Sequence, residues 1–223
     1  MNWIAWTILI FLFADFLLHL AADRLNLNAL TDEIPKPFQP IFDVEKYRQA
    51  QTYLRTNTRF GQIAAAVDLL VLFGFWFGGG FALVDAWTRS FGWGHLATGL
   101  GFIGVLAGLK SLVDQPFSLY ATFVIEQRFG FNKTSPAVWI KDRFKALLLA
   151  MGFGIPLLTG VLAFFQYAGS SAWTWCWALI TLFMIVVQFI APTWIMPLFN
   201  RFEPLEAGEL KDAIMAYART IDF

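Results

Sequence analysis

Five apolar runs, each long enough to cross a bilayer, constrain this chain more than any other feature. They lie at about Trp3 to Ala22, Ile63 to Val84, Leu96 to Val113, Ala146 to Phe165 and Ala172 to Ile195. At about 1.5 Å per residue, a run of some 20 residues covers the roughly 30 Å hydrocarbon layer. Only backbone that satisfies its own hydrogen bonds can stand there, so each run predicts a helix. The fold class expected is therefore all-α, a polytopic membrane bundle of about five transmembrane helices with amphipathic helices on its cytoplasmic side. The third run is the shortest and richest in glycine, which leaves a re-entrant hairpin open for it.

The first run has no basic leader, since no Lys or Arg precedes Arg24, and it is of full span length. It reads as a retained span, not a cleaved signal peptide. Of the 16 Lys and Arg residues, only Arg89 falls in the second loop, and the fourth loop has none. The first loop, the third loop with its flanks (Lys110 included) and the tail hold the rest. Cations near span ends stay on the cytoplasmic side, which predicts an outside N-terminus and a cytoplasmic C-terminus. The expected location is an integral position in a bacterial inner membrane, with the lipid bilayer as first partner. Net charge is zero, so nothing points to nucleic acid. The lone cysteine, Cys176, lies in an apolar run and reads as a small packing residue.

Between the spans, Ile34-Pro-Lys-Pro-Phe-Gln-Pro40 cannot continue a helix and serves as a spacer. Val44, Tyr47, Gln51 and Leu54 then share one helical stripe ahead of the second span. In the tail, Leu210, Ala213, Ile214, Tyr217, Ala218 and Ile221 keep helical spacing from Glu206 onward. That apolar face has no evident partner in the remaining sequence.

Three ionisable residues sit within spans: Asp15 and His19, four apart on one helix face, and Asp68. A charge at mid-bilayer costs about 2.5–3.5 kcal/mol, so all three should face protein or water. They read as the polar lining of a hydrated chamber; a proton path or a metal pair is the sharper alternative. One His and one Asp fall short of a zinc set, and the only other histidine is His95. No His-Glu-x-x-His occurs, no catalytic residue can be named, and no metal ligand is assigned. Gly74-x-x-x-Gly78 and Gly104-x-x-x-Gly108 have the small-residue spacing of close helix packing. Gly78-Gly79-Gly80 lacks the Lys and Ser or Thr of a phosphate loop and marks the end of a span. Asn132-Lys133-Thr134 fits a glycosylation sequon, which the cytoplasmic assignment of its loop rules out of use.

The third loop, Phe123-Val-Ile-Glu-Gln-Arg-Phe-Gly-Phe-Asn-Lys-Thr-Ser-Pro-Ala-Val-Trp-Ile-Lys-Asp142, closely resembles the cytoplasmic loop of the CAAX prenyl protease 1 family. A second block, Ala191-Pro-Thr-Trp-Ile-Met-Pro-Leu-Phe-Asn-Arg-Phe-Glu-Pro-Leu205, is similar to the family's segment after its fifth span; Phe42, Tyr47 and Tyr53 fit more loosely. The resemblance implies a seven-span zinc endopeptidase built around a water-filled chamber, cutting peptide substrates near a prenylated C-terminal cysteine in eukaryotes. Zinc is the cofactor it implies for the full-length family member, and none is assigned to this chain.

The family's zinc motif, distal glutamate and last two spans have no counterpart in these residues, so residues 1–205 correspond to the N-terminal transmembrane domain. Residues 206–223 correspond to the start of a protease domain whose catalytic segment is the expected partner. The chain is expected to be inactive alone, truncated or encoded apart from that segment. Glu126, Arg128, Asn132, Lys133, Pro197, Phe199 and Asn200 match family positions, and the resemblance implies that they support the catalytic domain or shape the substrate path. Helix capping and loop bracing is the plainer alternative for them. A noncatalytic membrane scaffold of the same fold is the competing function, and a transporter the third.

Overall fold

The structure is a computed structural model and describes residues 3–31, 33–36, 39–40 and 43–221. Phe42 and two residues of the proline-rich spacer, Pro37 and Phe38, lie outside the described residues. Among those described there are helices and no strands: α1 (Trp3–Ala29), α2 (Val44–Phe77), α3 (Gly80–Ser90), α4 (His95–Tyr120), α5 (Pro136–Tyr167), α6 (Ala172–Ile190), α7 (Met196–Phe199) and α8 (Glu209–Thr220). Two wide π-helical turns join them, Ala121–Glu126 after α4 and Ala191–Ile195 after α6. Five helical segments are long and apolar enough to cross a membrane, as the sequence predicts.

The segments outrun their apolar windows. α2 has 34 residues, about 51 Å at the α-helical rise, so some 20 Å extends past a hydrocarbon layer of about 30 Å. Hydropathy falls where the backbone leaves lipid, whereas the hydrogen-bond ladder runs on. The amphipathic stripe at Val44–Leu54 and the second apolar run are consequently one helix, capped by Asp43, whose carboxylate accepts from the Lys46 N–H at 3.0 Å. The third run is likewise a continuous helix through Glu126, not a hairpin. The tail helix begins at Glu209, leaving Glu206 outside it, and Leu210 and Tyr217 on it stay exposed.

The chain forms two compact units, Met1–Val138 and Trp139–Phe223. In the first, α2 lies against α1, α3 and the first π turn, and α3 against α4. The α2–α3 corner explains the glycine triplet. A side chain at Gly78 would sit 2.7 Å from the Gly74 carbonyl oxygen, Gly79 is left-handed at φ 75°, and a Cβ on Gly80 would strike the Phe75 ring at 2.5 Å. α3 is too short to span; its Thr88 is buried, with the hydroxyl donating to the Val84 carbonyl at 2.9 Å. Arg89 on this helix pairs with Asp85, whose hydrogen bond and then charge raise the guanidinium above its ordinary range, against a smaller effect of burial.

In the second unit, α5 meets α6 through Phe153 and Phe183, edge to face at 6.3 Å, and through Phe164 stacked on Trp175 at 6.1 Å. Cys176 is buried there and its thiol faces the Val161 carbonyl at 3.7 Å, a packing role as expected. The expected Gly-x-x-x-Gly packing is not what brings helices together. Nothing stands within 4 Å of a Cβ placed on Gly74, Gly104 or Gly108, and Gly78 closes only on its own helix. The close approach is at Gly160, where a Cβ would lie 2.7 Å from Leu179 of α6. Spacing of small residues shows where helices could meet; the facing residue decides where they do.

Candidate functional site

Each block that carries the family resemblance follows a π turn, and each turn has a proline behind it. Pro116 inside α4 removes one amide donor five residues before Ala121, and Pro192 lies within the second turn. A π turn carries one more residue than an α turn and is often found at functional sites. Pro116 and Pro192 were legible as helix disturbances; the wide turns themselves were not read.

In the first block the helix ends by folding its own amides back. The Phe131 and Asn132 N–H groups both donate to the Glu126 carbonyl, at 2.9 and 3.2 Å, and Gly130 takes a left-handed φ of 78°. Asn132 then accepts the Thr134 N–H on its side-chain oxygen at 2.6 Å, a local turn that fixes Lys133 between them. Tyr53 of α2 clamps the loop edge to face between two rings, Phe129 at 5.3 Å and Phe131 at 4.8 Å. Gln49 adds a bond from its side-chain amide to the Phe129 carbonyl at 3.4 Å. Phe129 is buried, Glu126 and Asn132 are half-buried, and Arg128 and Lys133 are exposed. Arg128 lies over the Phe129 ring at 5.8 Å.

The second block, in the other unit, is braced by a residue that counted in the sequence only as a topology marker. Lys145 of α5 donates to the Leu198 carbonyl, sits 5.2 Å over the Phe199 ring and pairs with Asp142 at 3.1 Å. Asn200 closes α7 by donating its N–H to the Met196 carbonyl at 3.0 Å, Pro197 opens the same helix, and Arg143 covers Trp139. The signal available was the spacing of Asp142 and Lys145, which puts them on one face of α5.

The intramembrane polar residues do not form one group. Asp15 and His19 meet each other, His19 Nδ1 lying 3.4 Å from the carboxylate and 2.9 Å from the Asp15 carbonyl. Asp68 instead faces Lys110 of α4 at 3.1 Å, and Lys110 also contacts Asp114. The sequence reading assigned Lys110 to a loop flank; it lies well inside a 32-residue helical segment, and its pairing with Asp68 depends on helix register, which composition does not supply. Among the described residues, no three His, Cys, Asp or Glu side chains converge as a metal site, so these residues do not fit a zinc ion.

Long apolar helices with polar loops braced at their ends define an all-α, polytopic integral membrane protein. Residues 23–201 match the family model described as the CAAX prenyl protease N-terminal region with five membrane helices. The chain is 28% identical to the CAAX prenyl protease 1 homolog of Dictyostelium discoideum across 95% of its own length and 50% of that protein's. It is 42% identical to CAAX prenyl protease 1 of Saccharomyces cerevisiae over 57% of this chain and 28% of that one. The crystal structure of S. mikatae Ste24p superposes with a TM-score of 0.84 at 30% identity, covering 96% of this chain and 52% of that one. The chain belongs to the CAAX prenyl protease 1 family and carries its N-terminal membrane domain. It spans about half the length of the Dictyostelium relative. These relatives are eukaryotic, which speaks against the bacterial inner membrane expected from the sequence.

Proposed function

We propose that this chain is the membrane domain of a zinc-dependent CAAX-type endopeptidase, working with a catalytic segment that supplies the metal-binding residues. The observation that carries this reading is the family match over residues 23–201, with both family blocks held in ordered, braced loops. Zinc, when bound by the catalytic segment, would polarise the scissile carbonyl and activate water. This chain's own part is to anchor, orient and present. In this reading Glu126 and Asn132 fix the first loop through main-chain and turn bonds, and Arg128 and Lys133 offer exposed charge to the catalytic segment or the peptide. Pro197, Phe199 and Asn200 hold the connection toward residues 206–223, the beginning of the protease part. Asp15, His19 and Asp68 contribute polarity to a wet interior.

The charge bias supports a cytoplasmic position for the first and third loops and the tail. A membrane-impermeant thiol reagent applied to a Lys133→Cys chain should then label only after the membrane is opened. The activity test joins this chain to its catalytic segment and assays release of the terminal tripeptide from a prenylated peptide. Zinc-dependent cleavage is expected. A joined protein that binds zinc and cleaves no peptide would overturn the reading in favour of a scaffold.

A further inference from the structure

The Asp68–Lys110–Asp114 cluster has an imbalance that neither the fold nor the proteolytic reading uses. Lys110 Nζ lies 3.1 Å from Asp68 Oδ1 on α2 and also touches Asp114 Oδ1 on its own helix. Both carboxylates meet one nitrogen, so their contacting oxygens stand within about 6 Å, the range in which two like charges oppose each other's ionisation. One ammonium balances one carboxylate, and the second charge has no counterpart in the cluster.

The surroundings make that charge costly. Counted along the helices, Asp68 is about 14 Å from the C-terminal end of α2 and Lys110 about 22 Å from the N-terminal end of α4, depths inside the hydrocarbon of a bilayer. Asp68 and Lys110 open onto a cavity of 220 Å³ whose other walls are apolar, among them Val71, Leu72, Phe75, Phe81 and Leu106. The ionisable groups on neighbouring elements are engaged elsewhere. Asp85 and Arg89 of α3 pair with each other, Asp15 and His19 of α1 likewise, and Asp23 of α1 accepts from Gln62 at 3.4 Å. His95 of α4 stands at the opposite end of that helix.

We propose that the Asp68–Lys110–Asp114 cluster is a proton-binding site, holding one proton from solvent on a carboxylate oxygen at neutral pH. Taking up H⁺ converts one carboxylate to a neutral acid, leaves Lys110 charged against the other and brings the cluster to zero net charge. The protonated acid remains a hydrogen-bond donor to its neighbour, so the link between α2 and α4 survives the change.

Infrared titration of the chain in phospholipid nanodiscs tests this, because a protonated carboxylic acid has a carbonyl stretch separate from that of a carboxylate. Expected at pH 7 is an acid band that fades as pH is raised and is lost in both Asp68→Asn and Asp114→Asn, each of which leaves one carboxylate for one ammonium. Lys110→Met should act in the opposite sense, about doubling the band, since both carboxylates then protonate. An acid band that persists undiminished in both Asn variants, or a Lys110→Met spectrum unchanged from wild type, overturns the proposal. The wild-type chain decides it even if a variant misfolds: absence of any acid band at pH 7 means that water reaches the cluster and both carboxylates stay ionised.

Discussion

Tyr53 gives the sharpest test of how the first family block is held. Replacing it with Leu keeps apolar bulk and removes both edge-to-face pairs, with Phe129 at 5.3 Å and Phe131 at 4.8 Å. Such pairs contribute about 0.5–1.5 kcal/mol each beyond the area they cover, so the clamp weakens by about 2 kcal/mol. At about 1.4 kcal/mol per decade, the loop should open roughly 30 times more often. Native-state hydrogen exchange reads this directly, because local opening exposes the amides of Phe131 and Asn132, which donate to the Glu126 carbonyl. The Asn200 amide, bonded to Met196 in the other unit, is the internal control and should not change. Tyr53→Phe, which retains the ring, should behave as wild type. Equal protection of Phe131 in Tyr53→Leu and wild type would refute the clamp, and so would acceleration that reaches Asn200 equally.

Lys145→Met should loosen the second block by about 1–2 kcal/mol, through loss of the Leu198 carbonyl bond and the Phe199 contact, seen as faster exchange at Asn200. Lys145→Arg should recover part of that protection. Gly160→Ile should force α5 and α6 apart at Leu179 and lower thermal stability by about 1–3 kcal/mol, whereas Gly104→Ala, with open space around it, should leave the melting temperature nearly unchanged. Asp43→Ala should cost the first turn of α2 about 1 kcal/mol, read as exchange at the Lys46 amide.

The number and place of the membrane helices were legible because hydrocarbon demands long apolar runs, and Trp3, Ile63, Ala146 and Ala172 all fall inside segments found helical. Helix ends were not, since α2 and α5 continue into water where hydropathy carries no signal but the backbone ladder does. The family blocks were legible as sequence, while their braces were not. Tyr53 was noted as a loose match, Lys145 only as a charge, and both act across tens of residues through helix register. The partner of Asp68 was hidden for the same reason: Lys110 looked like part of a basic flank until α4 proved continuous.

The wide turns at Ala121–Glu126 and Ala191–Ile195 make the chain unusually sensitive to length at two points. Removing one residue from either lets the helix rewind into ordinary α geometry, so membrane insertion would survive. Everything downstream would then swing by about 100° around the helix axis. A single-codon deletion there should leave a protein that inserts and resists heat, yet turns Gly130–Thr134 or Pro197–Asn200 away from what each now meets.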